Sequence, residues 1–321
     1  MTAPSHHVLL CPGQGSQAIG MGMAWADTVP AAREVFDIAD ATVTLPACAG
    51  GRSVSRVCRE GPKDVIDRTD VAQVALFTAG VACARALGFD CQSTAPLATA
   101  GLSLGEYTAL HLAGAFTLEA GLQLVAERGR LMQAAAEAVP SGMVALIGAD
   151  EGQASALCEA ASQGETLVCA NLNCPGQIVI SGSAAACDRA VAEAGSRGLR
   201  AAKLAVAGAF HSDLMAPAAD GMRTALAATE ITLPRCPVWS NVTASPHLPD
   251  PASIREMLVL QLTSPVRWGD SCVHMLSALR ASHPDASYWE LAPGSVLKGL
   301  MRRIDRTCEV TPHDTPTPTT A

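Results

Sequence analysis

A serine flanked by glycines, Gly101-Leu102-Ser103-Leu104-Gly105, follows a short apolar run at residues 97–100 and leads into Glu106-Tyr107-Thr108-Ala109-Leu110, which reads as helix. Gly-x-Ser-x-Gly is the spacing of a nucleophile elbow. Small residues flank the serine because the strand-to-helix turn leaves little room for side chains, and the turn lifts the hydroxyl to the top of a sheet. At the adjoining helix N-terminus, the backbone N–H of Leu104 can help hold a developing oxyanion. Alone, the spacing also fits an ordinary glycine-rich turn. A serine nucleophile needs a base, and the best one is His211, in the loop Ala207-Gly208-Ala209-Phe210-His211-Ser212 after a strand-like run; loops held by a scaffold often carry catalytic side chains. His6, His7, His247, His283 and His313 read as surface or capping residues, and His111 as a buried or rim histidine. No acid between Ser103 and His211 sits in a convincing loop after a strand. That leaves a Ser–His dyad without a carboxylate, its imidazole oriented by another acceptor such as a backbone carbonyl.

Arg128 is the most informative charge. Leu124, Val125, Leu131 and Met132 surround it at helical spacing, so it lies on an apolar stripe. A buried guanidinium without a partner is costly. Two partners are open: an internal Asp or Glu, or the carboxylate of a substrate gripped bidentately, which would select a dicarboxylic acyl group.

The elements that must position these groups alternate between strand and helix. Residues 8–11 read as a strand, broken by Pro12-Gly13-Gln14-Gly15-Ser16-Gln17, with a helix beginning near Met21. The glycines there match neither a dinucleotide fingerprint nor a phosphate loop: the next glycine after Gly15 is Gly20, and no Gly-Lys-Ser/Thr follows. A long amphipathic helix is expected over 118–138. Strands at 143–147, 167–171, 177–181 and 200–206, with helices capped by Asp150 and running over 183–197, give the order β-α-β-β-α-β, the split ferredoxin-like pattern. The α/β alternation then resumes, with helices at 214–228, 252–261, 269–281 and from Val296, and strands at 238–240 and 287–291. The domain expectation is therefore residues 1–137 and 208–308 as a large catalytic domain, 138–207 as an inserted small one, and 309–321 as a Pro/Thr-rich flexible tail.

Composition bounds the rest. Of 321 residues, 49% are hydrophobic and 16% charged, enough for a sizeable core; aromatics are only 3%, so that core is aliphatic. A net charge of −8 argues against a nucleic-acid partner. No apolar run approaches a membrane span, and the N-terminus lacks a signal-peptide core, so a cytoplasmic protein is expected. Twelve cysteines without a Cys-x-x-Cys pair, and eight histidines without metal-ligand spacing, indicate reduced thiols and no metal site.

Taken together, Pro12-Gly-Gln-Gly-Ser-Gln17, Gly101-Leu-Ser-Leu-Gly-Glu-Tyr107, Glu127-Arg-Gly-Arg-Leu-Met132, Gly208-Ala-Phe-His211, Ser240-Asn-Val242 and Gln261-Leu-Thr-Ser-Pro-Val266 stand in an order that resembles the malonyl-CoA:acyl-carrier-protein transacylases of type II fatty-acid synthesis. The chain also resembles the acyltransferase domains of polyketide synthases. The likeness runs from about Val8 to Arg303. It implies an α/β-hydrolase-like large domain with an inserted ferredoxin-like small domain. It implies Ser103 as nucleophile, His211 as base, and Gln14 with the Leu104 amide as oxyanion hole. It further implies Arg128 as carboxylate clamp, the Gln261 backbone carbonyl as the acceptor orienting His211, and Met132, Phe210, Asn171 and Asn173 beside the substrate. One departure stands out: many members carry His immediately before the serine, where this chain has Leu102.

The activity so implied is S-malonyl transfer from malonyl-CoA to holo acyl carrier protein by a monomer, with coenzyme A released and no retained cofactor. Rival readings are a trans-acting polyketide-synthase acyltransferase, an acyl hydrolase on the same site, and a non-catalytic docking protein. A basic carrier-binding patch is expected, for which Arg130, Arg197, Arg200 and Lys203 are weak candidates.

Overall fold

The computed structural model describes residues 6–91 and 93–316. It is a mixed α/β structure with two separate sheets. The first has five strands: β1 (His7–Cys11), β2 (Ala98–Gly101), β7 (Val238–Trp239), β8 (Ser287–Leu291) and β9 (Val310–His313). Their order is β7-β2-β1-β8-β9, and every pairing is parallel. Parallel strands need helical crossovers that cover both faces. The central strands accordingly read as continuous apolar runs, with Val8, Leu9, Leu10 and Cys11 all fully buried.

The second sheet is antiparallel and is made by one stretch of chain: β3 (Ser141–Ile147), β4 (Leu167–Cys174), β5 (Gln177–Ser183) and β6 (Arg200–Lys203), in the order β4-β5-β3-β6. Its two helices, Glu151–Ser162 and Ala184–Ala194, pack on one face. There Leu157, Ala190, Val144, Leu146, Ile178 and Ile180 form a core distinct from that of the parallel sheet. The first of these helices opens on a reciprocal capping box between Asp150 and Gln153, which satisfies two orphan N–H groups. A strap joins the sheets. The Leu172 N–H donates to the Val266 carbonyl at 2.9 Å, and the Val266 N–H to the Ala170 carbonyl at 2.8 Å.

The amphipathic helix expected after the elbow spans Leu118–Ala138, as its sequence periodicity indicates. It packs against a helix over Thr69–Ala86 that the periodicity does not reveal. That second helix is buried on every side along nearly its whole length, so no polar face marks its period.

Several boundaries move. The β6 strand stops at Lys203, and Leu204–Val206 leave the sheet to line a cleft. The expected helix over 183–197 is helical over Ala184–Ala194 and finishes as a single tight turn, Gly195–Arg197. The tail expectation needs correction. Residues 310–313 form β9, paired in parallel with β8, and the His313 carbonyl accepts from Trp25 Nε1 at 3.0 Å. A short strand on an open sheet edge finds partners there despite its proline, because edge positions tolerate the missing N–H. The last residues of the expected tail, 317–321, lie outside the described residues. No described helix is long and apolar enough to cross a membrane.

Candidate active site

Ser103 stands at the carboxyl end of β2, where ligands bind in open parallel sheets. Its backbone is left-handed (φ 53°), a conformation that costs a non-glycine residue on the order of 1–3 kcal/mol and persists only when the surroundings enforce it. The flanking glycines show how. A Cβ on Gly101 would lie 1.9 Å from the carbonyl carbon of Gly105, and one on Gly105 would lie 2.0 Å from the Cys11 carbonyl oxygen. Both glycines are therefore demanded by close backbone approach. Asn241, in the loop after β7, braces the turn: its Oδ1 accepts from the Ser103 N–H at 2.7 Å and its Nδ2 donates to the Gly101 carbonyl at 2.7 Å.

His211 also adopts a left-handed backbone (φ 58°) and is 3% exposed. Its Nε2 is 2.8 Å from Ser103 Oγ, and its Nδ1 is 2.7 Å from the Gln261 backbone carbonyl. A carbonyl only accepts, so Nδ1 carries the proton and Nε2 presents its lone pair to the serine hydroxyl. Burial, and then the nearby charge of Arg128, push the imidazole down to about 4, against the opposing pull of the Gln261 carbonyl. The ring is neutral near pH 7, as a proton acceptor must be.

Arg128 is 1% exposed. Its Nη1 donates to Gln73 Oε1 at 2.8 Å, and its Nη2 donates to Gln261 Oε1 at 2.9 Å and to Ser103 Oγ at 3.1 Å. The guanidinium carbon lies 5.3 Å from the centre of the Tyr107 ring. Nε has no hydrogen-bond partner, and burial lowers the group below the usual arginine range. Of the two partners left open by sequence, the internal acid is not the one found: among the described residues no carboxylate ion-pairs with Arg128. Two amides and the Ser103 hydroxyl hold it. Its direct hydrogen bonds go to neutral acceptors, so the guanidinium beside Ser103 has no carboxylate in contact with it.

A cleft of about 340 Å³ opens over Ser103 and His211, between the two sheets. Gln14, Leu102, Met132 and Phe210 line it from the parallel-sheet side, and Asn171 and Asn173 from β4. Arg128, Gln261 and Leu104 lie behind this wall, not in it. Gln14 Nε2 donates to Thr69 Oγ1 at 3.2 Å, which holds the amide in the cleft wall. Leu104 sits at the N-terminus of the helix Gly105–Leu112. Asn173 Oδ1 is buried without a partner. Among the described residues no group of His, Cys, Asp or Glu has the arrangement to hold a metal ion.

Some functional neighbours escape sequence reasoning. Gln73 was signalled only by being a lone amide in an apolar run. His247, expected at the surface, has its side chain buried against Glu106, with Nε2 2.7 Å from Oε1; its partner is too distant in the chain for any local pattern to announce. His7, also expected to be a surface residue, stacks on Trp289 and meets Ser287 Oγ at 2.6 Å. Three of the four weak candidates for a carrier patch are paired with acids: Arg130 with Glu127, Arg197 with Glu193 and Lys203 with Asp188.

Comparison with known proteins agrees with this geometry. Residues 8–311 match the acyl transferase domain family. The chain is 39% identical over 302 residues to the malonyl CoA-acyl carrier protein transacylase of Bacillus subtilis, covering 92% of this chain and 90% of that one. A crystal structure of malonyl-CoA:acyl carrier protein transacylase from Xanthomonas oryzae superposes with a TM-score of 0.87 at 39% identity, over 98% of this chain and 96% of that one. A malonyl-transacylase in complex with a type II polyketide-synthase acyl-carrier protein superposes with a TM-score of 0.86 at 33% identity, over 97% of each chain. The Ser103 turn, His211 and the buried arginine thus sit in a chain that belongs to the malonyl-CoA:acyl-carrier-protein transacylase family.

Proposed function

We propose that this chain is an acyl-carrier-protein S-malonyltransferase that works through a malonyl ester on Ser103. The observation that carries the reading is the 2.8 Å contact of Ser103 Oγ with His211 Nε2, with a buried arginine 3.1 Å from the same oxygen. Nothing in general hydrolysis needs a buried cation beside the nucleophile with no carboxylate in contact; a dicarboxylic acyl group does.

Malonyl-CoA enters the cleft with its free carboxylate toward Arg128. His211 Nε2 takes the hydroxyl proton as Ser103 Oγ attacks the thioester carbon. The oxyanion of the tetrahedral intermediate is held by the Leu104 N–H and the Gln14 amide. The intermediate collapses, the carbon–sulfur bond breaks, and the proton on His211 passes to the coenzyme A thiolate. The phosphopantetheine thiol of an acyl carrier protein then gives its proton to His211 and attacks the ester. Collapse returns the proton to Ser103 and leaves malonyl on the carrier. Coenzyme A is a product, and no cofactor is retained. Enclosure between the two sheets supports transfer over hydrolysis, since the ester must be shielded from water. Met132 and Phe210 pack against the acyl chain, and Asn171 and Asn173 face it from the opposite wall.

Within this reading the parallel sheet and its helices form an α/β-hydrolase-like body. The antiparallel sheet, with its β-α-β-β-α-β order, is a ferredoxin-like insertion. The enzyme acts as a cytoplasmic monomer. Intact-protein mass spectrometry after mixing with malonyl-CoA tests the proposal. A malonyl adduct is expected on the wild type and none on Ser103→Ala, with discharge by holo acyl carrier protein. Malonate accumulating without discharge to the carrier would make the chain a hydrolase, and labelling of Ser103→Ala at the wild-type level would move the nucleophile elsewhere.

A further inference from the structure

Glu106 lies in the first turn of the helix after the elbow, yet its side chain turns inward and is fully buried. A buried carboxylate is costly unless its oxygens are filled. Here Oε1 meets His247 Nε2 at 2.7 Å, while Oε2 accepts from Gln261 Nε2 at 2.6 Å and from the Asn241 N–H at 3.1 Å. These contacts reach both halves of the site. Asn241 is the brace of the elbow, and Gln261 bonds Arg128 with its side chain and His211 with its backbone.

The chemistry of Gln261 makes this arrangement directional. Its amide lies between a carboxylate, which only accepts, and a guanidinium, which only donates. One orientation satisfies both: Nε2 toward Glu106 and Oε1 toward Arg128. A flipped amide would aim a donor at a donor and an oxygen at a carboxylate. Gln261 Nε2 also reaches the Ser103 carbonyl at 3.0 Å, which reinforces the same orientation.

We infer that Glu106 is a positioning residue for acyl-group selection: by fixing the Gln261 amide, it holds the Arg128 guanidinium at the carboxylate end of the acyl site. The inference rests on the malonyl-transfer reading and deepens it. It separates Glu106 from a merely structural acid, because a structural acid would set how much protein folds without changing which acyl group the folded protein prefers.

The experiment measures kcat/KM for malonyl-CoA and acetyl-CoA on purified, folded enzyme, using acyl-enzyme formation as the readout. In Glu106→Ala the amide is released, and the malonyl-to-acetyl ratio is expected to fall about tenfold, the worth of one hydrogen bond to a charged group. Glu106→Gln keeps an oxygen for Gln261 and is expected to restore the ratio to within about twofold, a residue of well under 1 kcal/mol. Because Glu106→Ala leaves buried donors unpaired, at a cost that threatens folding, Gln261→Met is run beside it. It removes the amide, keeps the backbone carbonyl for His211, and is expected to show the same fall of about tenfold. A wild-type ratio in folded Glu106→Ala or in Gln261→Met overturns the inference, as does a Glu106→Gln ratio as low as that of the alanine variant. A wild-type enzyme without malonyl preference would bring down the malonyl reading itself.

Discussion

The two walls of the cleft are built from different materials. On the parallel-sheet side stand Ser103, His211, Arg128 and Glu106, all of them buried. The antiparallel sheet contributes amides and apolar side chains, among them Asn171, Asn173, Met143 and Val179. Its segment, residues 141–203, contains no histidine at all. Proton transfer and charge recognition need groups held within a few tenths of an ångström by crowded surroundings. Enclosure needs only shape and a few adaptable hydrogen bonds. Ionisable groups on one side and a cover of amides and apolar side chains on the other is a workable division for a site that must admit a long thioester and then shut out water.

That contrast can be broken most directly at Arg128. Arg128→Ala is expected to cut malonyl transfer by about a hundredfold, the scale of a lost charge-assisted pair, while acetyl transfer is spared or rises. Equal losses for both acyl groups would make the arginine structural and remove the charge-recognition half of the comparison.

Acid should sharpen the difference between the walls. His211 and the buried His111 are both held down to about 4 from 6.5, by burial first in each case. The unfolded chain takes up these protons near pH 6.5 and the folded chain only near 4. Their stabilisation is therefore complete above 6.5 and is lost as pH falls toward 4, by an amount on the order of 3 kcal/mol for each ring. Tm should drop across that window. Hydrogen exchange should show the parallel-sheet body loosening while the histidine-free small sheet keeps its protection; a flat Tm profile would contradict the buried, neutral imidazoles.

The smallest effect belongs to the cover. Asn173→Ala removes an amide whose Oδ1 has no partner within the protein. It should raise KM for malonyl-CoA by no more than about fivefold, the worth of one ordinary hydrogen bond, with kcat unchanged. A large fall in kcat would mean that the small sheet does chemistry after all.

Much of this site was legible because its constraints are local. The glycines around Ser103 declare a tight turn, and the structure shows backbone atoms where their side chains would be. Arg128 is marked by the apolar residues a helical turn away on either side, and the limits of its helix follow from the same periodicity. Legibility fails where the partner is remote or the pattern saturated. Thr69–Ala86 is buried all round, so it has no amphipathic period to read, and Gln73 within it has only its isolation among apolar residues as a mark. His247 and Glu106 are 141 positions apart, and nothing near either residue forecasts the other. The β9 strand carries a proline and lies at a sheet edge, which makes it indistinguishable from a tail until its neighbour is known.

The strap between the sheets gives the cleft a mechanical character. Val266, clasped by Ala170 and Leu172, belongs to the same loop as Gln261, whose carbonyl accepts from His211 Nδ1. The cover is thus tethered by backbone hydrogen bonds to the loop that orients the imidazole. One stretch of backbone therefore holds both the cover of the cleft and the orientation of the imidazole.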